Sequence, residues 1–208
     1  TLTNSLGTSR TAVAISSGWS HTCVILDNGA VSCWGDGSYG QLGSGSGSSS
    51  YWRNTPTLTS SLGTGRTAVA ISSGLSQTCA ILDNGAVSCW GRGDYGQIGN
   101  GGTSYTYAPT LTSSLGTDRT AALSERDFDN DGILNIFDGH QQAIDIREET
   151  ISSGTDHPCA ILDNGAVSCW GYNTNGQLGN GGTSTKNSPT LTNSLGTGRT
   201  AVAISSGQ

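Results

Sequence analysis

Methionine, lysine and long hydrophobic runs are what this sequence lacks most. Its 208 residues include no Met and a single Lys, at position 186, and the net charge is -6. The longest apolar runs are a few residues, far short of the roughly 20 that a membrane-spanning helix needs. Nucleic-acid binding depends on clustered Lys and Arg side chains that displace counterions from phosphates. We therefore expect neither membrane insertion nor a DNA or RNA partner.

A targeting segment and a catalytic motif are also missing. The opening residues, TLTNSLGTSR, have neither the basic start nor the apolar core of a signal peptide, so we expect a mature chain or a fragment. No histidine lies in a nucleophile motif; the three are His21, His140 and His157. Three repeated acids are interpreted as turn residues that cap their own backbone, namely Asp27, Asp83 and Asp163. The sequence predicts a protein that is not an enzyme.

What the sequence does contain is a glycine-rich repeat. Its 32 Gly residues, with abundant Ser and Thr, indicate many short strands joined by tight turns, and hence an all-β fold. Each copy begins with TLT, and the copies span 1–56, 57–109, 110–189 and 190–208, the last being the start of a fourth repeat. The third copy is longer because an insertion occupies about residues 122–150. We interpret each copy as one blade of a repeat architecture.

A hairpin with two cysteines recurs in each complete copy, as CVILDNGAVSCWG or CAILDNGAVSCWG. A three-residue turn at Asp27-Asn28-Gly29, with Gly in the left-handed region, sets Cys23 opposite Cys33. We predict disulfides within the three hairpins, namely Cys23–Cys33, Cys79–Cys89 and Cys159–Cys169. Reduced buried thiols are the alternative, and a zinc site is disfavoured by the long spacing. Disulfides indicate an oxidising, extracellular or cell-surface location.

Both faces of this hairpin are apolar in the derived register. One face carries Cys23, Ile25, Val31 and Cys33, and the other carries Val24, Leu26, Ala30 and Trp34. A hairpin that is apolar on both sides must be covered on both sides, as in small sheets stacked around an axis. This pattern predicts blades of a β-propeller, as a partial propeller or an open array.

The insertion contains DFDNDGILNIFD, which fits a calcium-binding loop. We predict one calcium ion as a cofactor, with ligands from Asp127, Asp129, Asp131, the Ile133 carbonyl, Asn135 and Asp138. Three carboxylates converging at a tight turn would repel one another without a cation. A solvated acidic loop is the alternative. The loop resembles those of thrombospondin type 3 and dockerin modules.

The repeated motifs together resemble those of the regulator of chromosome condensation family. They are Thr-Cys after His or Gln, Asp-x-Gly, Val-x-Cys-Trp-Gly and Gly-Gln-Leu-Gly, in fixed order. The resemblance implies a β-propeller of four-stranded blades, commonly seven to a ring. The paired cysteines are similar to those of its secreted branch. The residues of the chromatin-bound, nucleotide-exchange branch are not matched, so that activity is not expected.

These features favour a secreted or cell-surface structural or recognition protein, stabilised by calcium and acting in adhesion, matrix or filament assembly. A propeller-type, protein-binding enzyme inhibitor is the alternative, and it would require exposed aromatic residues clustered on one rim. The Ser- and Thr-rich loops favour the first reading, although Trp19 and Trp52 are candidates for a binding surface. The expected partners are further repeats of a longer parent chain or copies of this chain, with another protein or a surface glycan as further candidates.

Overall fold

The computed structural model describes residues 6–7, 9–46, 51–116, 119–121 and 150–207. These residues form twelve strands, and no helix able to span a membrane occurs among them. The strands are β1 (Ala12–Ser17), β2 (His21–Leu26), β3 (Val31–Asp36), β4 (Trp52–Leu58), β5 (Ala68–Ser73), β6 (Gln77–Leu82), β7 (Val87–Gly91), β8 (Thr106–Leu111), β9 (Ile151–Ser153), β10 (Pro158–Ile161), β11 (Val167–Gly171) and β12 (Lys186–Leu191).

The strands form three four-stranded antiparallel sheets, each of which is one blade. Blade 1 contains β1 to β4, blade 2 contains β5 to β8 and blade 3 contains β9 to β12, each in sequential order. The first strands of neighbouring blades pack together, β5 against both β1 and β9. The predicted all-β, propeller-type fold is confirmed. The sheets and the sequence copies start at different points of the repeat, because the TLT that opens the second, third and fourth copies contains the end of the preceding blade's fourth strand.

Each central hairpin has the register that the sequence predicts. Cys23 pairs with Cys33 across β2 and β3, and Gly29 closes the turn at φ +74°. The three disulfides are present, each with Cα atoms 4.1 Å apart. The structure thus contains all three predicted cysteine pairs within single hairpins.

The core lies between blades. The cysteine face of blade 1, with Ile25 and Leu42, packs against Ala80 and Trp90 of blade 2. The next junction repeats this arrangement, with Ile81 and Ile98 packed against Ala160 and Trp170. Stacking therefore covers both apolar faces of the blade 2 hairpin, and Trp90 and Trp170 are fully buried, as expected for inter-blade residues.

Hydrogen bonds between first strands repeat at every junction. The backbone N–H of Ser73 donates to Ser16 Oγ at 2.9 Å, and Ser153 donates to Ser72 Oγ at 2.9 Å. Ser206 donates in the same way to Ser152 Oγ at 2.8 Å. Residues 201–207 therefore pack on blade 3 as the first strand of a further blade would.

The insertion enters the structure at a β-bulge. In blade 1, Ala12 pairs with Leu26 and Ala14 with Ile25, so Val13 is the extra residue between two paired positions. In blade 3, Ala121 bridges to Leu162, and the Thr150 carbonyl accepts a hydrogen bond from Ile161 N at 2.9 Å. Residues 122–149 thus occupy the place of one bulge residue, and the strand pairing on either side is kept. They lie outside the described residues, as do all six predicted calcium ligands.

Candidate functional site

The strand connections give the stacked blades two different faces. One, the constant face, carries the turn between the second and third strands of each blade and the connections that follow each fourth strand, residues 59–67, 112–116, 119–120 and 192–200. The other, the variable face, carries the connections between the first and second strands and between the third and fourth strands of each blade. Because the strands are antiparallel, these two sets of connections lie at opposite ends of every sheet.

The constant face is nearly the same in all three blades. Its turns all read Asp-Asn-Gly-Ala, and an exposed Arg–Asp ion pair recurs beside each turn. The pairs are Arg10–Asp27 at 3.0 Å, Arg66–Asp83 at 3.3 Å and Arg119–Asp163 at 3.2 Å. Asn28 Oδ1, at 3.2 Å from Ala30 N, caps the turn. The expectation that the Asp side chain does so is wrong, because that side chain turns to its arginine.

The variable face differs at equivalent positions of otherwise near-identical blades. Trp19 of blade 1 corresponds to Leu75 and Thr155, and Trp52 corresponds to Tyr105 and Thr185. Two further positions differ in the same way, Asp36/Arg92/Tyr172 and Tyr39/Tyr95/Asn175. Differences within the blades are therefore concentrated at one end of the sheets.

Exposed aromatic side chains also lie on the variable face. Trp19 is 71% exposed and Trp52 is 64% exposed, so both predicted surface residues are accessible on this face. Tyr39, Tyr95, Tyr105 and Tyr107 are also exposed. Among the described residues, no aromatic side chain belongs to the constant face. The sequence interpretation missed these tyrosines, although three of them, Tyr39, Tyr95 and Tyr105, lie in connections between third and fourth strands, which was a usable signal.

Four tyrosines and one arginine form a continuous row across the three blades, which we term the tyrosine stripe. Tyr39 and Tyr105 meet edge to face at 5.4 Å between ring centroids. Tyr95 and Tyr172 meet at 5.0 Å, with ring planes inclined by 61°. The Arg92 guanidinium lies between the pairs, 6.0 Å from the Tyr39 ring and 5.1 Å from the Tyr95 ring. Each tyrosine pair thus spans one blade junction.

Acidic neighbours neutralise the charge of Arg92. Its guanidinium contacts Asp94 at 2.7 Å and Asp156 of blade 3 at 3.7 Å. Burial lowers the pKa of Arg92, but the hydrogen bond and charge of Asp94, with Asp156, raise it overall. Burial raises the pKa of Asp156 despite the opposing effects of Arg92 and of Gln97, which donates to Asp156 at 3.0 Å. The stripe therefore contains a cation that is already paired.

His21 is a structural residue at the junction of blades 1 and 2. Its Nε2 lies 2.9 Å from Thr78 Oγ1, which in turn donates to the Gln41 carbonyl at 3.0 Å. Because the Thr78 hydrogen points to that carbonyl, His21 must donate from Nε2, which leaves Nδ1 unprotonated and without a partner among the described residues. Burial lowers the pKa of His21 to about 4, against a smaller opposing effect of Asp36. This geometry supports a structural role and not catalysis.

No cluster of three or more His, Cys, Asp or Glu side chains in the described part of the chain could hold a metal ion. The predicted calcium loop lies in 122–149, outside that part, and stays a prediction from the sequence.

Comparisons with known proteins give consistent matches. Two sequence profiles of the regulator of chromosome condensation (RCC1) repeat match, one at residues 12–41, 68–97 and 149–177 and the other at 28–81, 84–122 and 164–208. The ultraviolet-B receptor UVR8 of Arabidopsis thaliana is 33% identical over 84% of this chain and 32% of its own length. The human E3 ubiquitin-protein ligase HERC2 is 29% identical over 87% of this chain but only 4% of its own length.

Solved structures show the same fold. Prp20p of Saccharomyces cerevisiae superposes with a TM-score of 0.69 at 16% identity, covering 94% of this chain and 42% of that one. Yeast RCC1 in its complex with Kap60 gives a TM-score of 0.64 at 16% identity, covering 89% of this chain and 38% of that one. This chain spans less than half of each of these proteins. With profile matches across all three blades, the chain belongs to the RCC1 repeat family.

Proposed function

We propose that this chain is a protein-recognition segment of a β-propeller that binds its partner through the variable face. One observation carries the proposal: blades that are nearly identical in their cores and on the constant face differ on the variable face, where the exposed aromatic residues also lie. A purely structural array needs no such asymmetry. Tyr and Trp are the residues that most often anchor protein interfaces, because they bury a large area with few rotatable bonds.

Two related structures support a protein as the partner. Prp20p is described with its binding to Gsp1p and histones, and yeast RCC1 is described bound to Kap60. Those proteins are longer than this chain, so their partners are not transferred to it. The exposed aromatic cluster was the feature expected of a protein-binding inhibitor, and it favours that alternative over a passive matrix or filament component.

The decisive experiment uses substitutions that the chain itself tolerates. Trp19→Thr with Trp52→Thr introduces the residues that blade 3 has at the equivalent positions, so the variant should fold. The immobilised chain is first used to retain binding proteins from the source organism. Their affinity for the variant should be at least tenfold lower than for the unmodified chain. The matched control is Leu58→Ser with Leu111→Ser, which removes two leucines, each 57% exposed, at the constant-face ends of β4 and β8. Equal loss in both variants would contradict the proposal.

We further propose that the protein works outside the cytosol and without catalysis. Three disulfides support an oxidising compartment, since such bonds are rare in the cytosol. A calcium-stabilised role in adhesion or matrix assembly agrees with this location and depends on the loop at 122–149. Fractionation of the source cells tests the location, and mass spectrometry without reductant tests the disulfides.

A further inference from the structure

We propose that the tyrosine stripe binds a proline-rich, extended segment of the partner protein. This inference rests on the proposed function and names the chemistry of the partner on the variable face. The stripe crosses three blades as a row, with one tyrosine pair at each blade junction and Arg92 between the pairs. A row of repeated side chains fits a partner that binds as an extended segment better than one that binds through a compact surface patch.

Ring orientation argues against a glycan. A sugar chain stacks on flat, exposed rings, whereas Tyr39 and Tyr105 are inclined by 89° to each other. Tyr95 and Tyr172 are also edge to face. Each pair therefore presents one ring face and one ring edge, which cannot form a flat platform for successive sugars. Rings inclined to each other instead offer walls against which proline rings can pack, as in aromatic-lined surfaces that recognise polyproline helices.

The tyrosine hydroxyls supply the matching polar contacts. Tyr51, outside the stripe, contacts Ser44 Oγ at 2.9 Å and Ser46 Oγ at 3.3 Å through its hydroxyl. Within the described part of the chain, the hydroxyls of the four stripe tyrosines have no such hydrogen bond. They are donors at the edge of apolar rings. A polyproline helix has no internal hydrogen bonds, so its carbonyls are acceptors that need such donors.

Charge argues against an acidic or phosphorylated partner. An anion is recognised by a site with net positive charge, but the charge of Arg92 is offset by the carboxylates of Asp94 and Asp156. Its guanidinium also lies 6.0 Å from the Tyr39 ring and 5.1 Å from the Tyr95 ring, as one apolar-flanked member of the stripe. Binding to the stripe should therefore depend little on salt, in contrast to binding that relies on charge.

The probes for a direct test are labelled peptides added to the whole chain. Deca-L-proline and a peptide of three consecutive Pro-Pro-Leu units represent the proposed partner. Decalysine, a decaglutamate and cellohexaose represent the alternatives. The variant is Tyr39→Asn with Tyr95→Asn, because blade 3 has Asn175 at this position and its backbone N–H bonds Gln177 Oε1 at 2.9 Å, as Tyr39 N bonds Gln41 Oε1 at 2.9 Å.

We expect a proline peptide to bind, to lose at least tenfold in affinity for the double variant, and to change less than twofold between 0.05 and 0.5 M NaCl, following the salt argument above. Absence of proline-peptide binding, unchanged affinity in the variant, or preference for a charged peptide or the glycan would overturn the inference. A partner that still depends on Trp19 and Trp52 while ignoring Tyr39 and Tyr95 would preserve the proposed function and reject the stripe. A partner whose binding depends on neither the tryptophans nor the tyrosines would reject both the proposed function and the role of the stripe.

Discussion

The two blade junctions use the same core but different polar contacts. At the junction of blades 1 and 2, the Gln41 carbonyl accepts from both Trp90 Nε1 at 2.9 Å and Thr78 Oγ1 at 3.0 Å. At the junction of blades 2 and 3, the Gln97 carbonyl accepts from Trp170 Nε1 at 2.9 Å. Blade 3 has Pro158 where blade 2 has Thr78, and a proline has no hydroxyl to donate.

A second difference concerns the first residue of the second strand in the earlier blade of each junction. At the first junction this residue is the buried His21, whose Nε2 is hydrogen-bonded to Thr78. At the second junction it is Gln77, whose Nε2 donates to the Gly154 carbonyl at 3.0 Å. The second junction adds the Arg92–Asp156 pair, which the first lacks among the described ion pairs. Apolar packing, which is the same at both junctions, therefore sets the spacing of the blades, whereas the hydrogen bonds and ion pairs that satisfy the buried polar atoms differ between them.

The largest expected effect comes from removing the indole donor at the second junction. Trp170→Phe leaves a cavity and also an unpaired Gln97 carbonyl, so we expect a loss of about 3 to 4 kcal/mol in the free energy of unfolding. Trp90→Phe makes the same cavity, but Thr78 still donates to Gln41, so about 1 to 2 kcal/mol should be lost. Urea denaturation of both variants measures the difference. Equal losses would show that the second donor at Gln41 contributes nothing.

Acid should weaken the first junction more than the second. The folded pKa of His21 is about 4, against 6.5 when unfolded, so between these values the unfolded chain binds a proton that the folded chain does not. Stability should be complete above pH 6.5 and fall by about 3 kcal/mol as the pH drops from 7 to 4.

His21→Gln is the matched variant, because Gln77 occupies this position in blade 2. At pH 7 its free energy of unfolding should equal that of the unmodified chain. In a pH series of urea denaturation curves, it should lose most of the fall in stability towards pH 4. The pKa of His157 is also lowered by burial, so a smaller pH dependence should remain. An unchanged pH profile would mean that His21 is not the group responsible.

The ion pair specific to the second junction should contribute less. Arg92→Gln removes the contact to Asp156, but Gln97 still donates a hydrogen bond to Asp156. We therefore expect a loss of about 1 kcal/mol or less in the free energy of unfolding. The loss should shrink in 1 M NaCl, which thermal denaturation at two salt concentrations can measure. A loss above that of Trp90→Phe would contradict the view that packing dominates the junction.

The smallest expected effect on stability comes from removing the insertion. Replacing 122–149 by a single Val restores the bulge of blades 1 and 2, so the free energy of unfolding without calcium should change by less than about 1 kcal/mol. Calorimetry should detect calcium binding to the full chain and none to this variant. Asp129→Ala with Asp131→Ala should also abolish binding. Calcium binding that survives the excision would place the ion elsewhere.

The hairpins could be predicted from the sequence because local chemistry determines them. The Gly29 turn sets the register, and the register sets the cysteine pairs and the two apolar faces. Contacts between blades were less accessible, since nothing local relates Thr78 to Gln41 or Arg92 to Asp156. The tyrosine stripe was missed for the same reason: Tyr39 and Tyr105 are 66 positions apart and meet only when the blades stack.

The bulge at Val13 has a consequence for how such chains can change over evolution. An extra residue at a register shift can be replaced by a whole segment in one genetic event, without an intermediate in which the pairing on either side is broken. Blade 2 has the same bulge at Val69, between Ala68 and Ala70. Each blade therefore offers one position at which a foreign module can be gained or lost while the propeller that bears it stays folded.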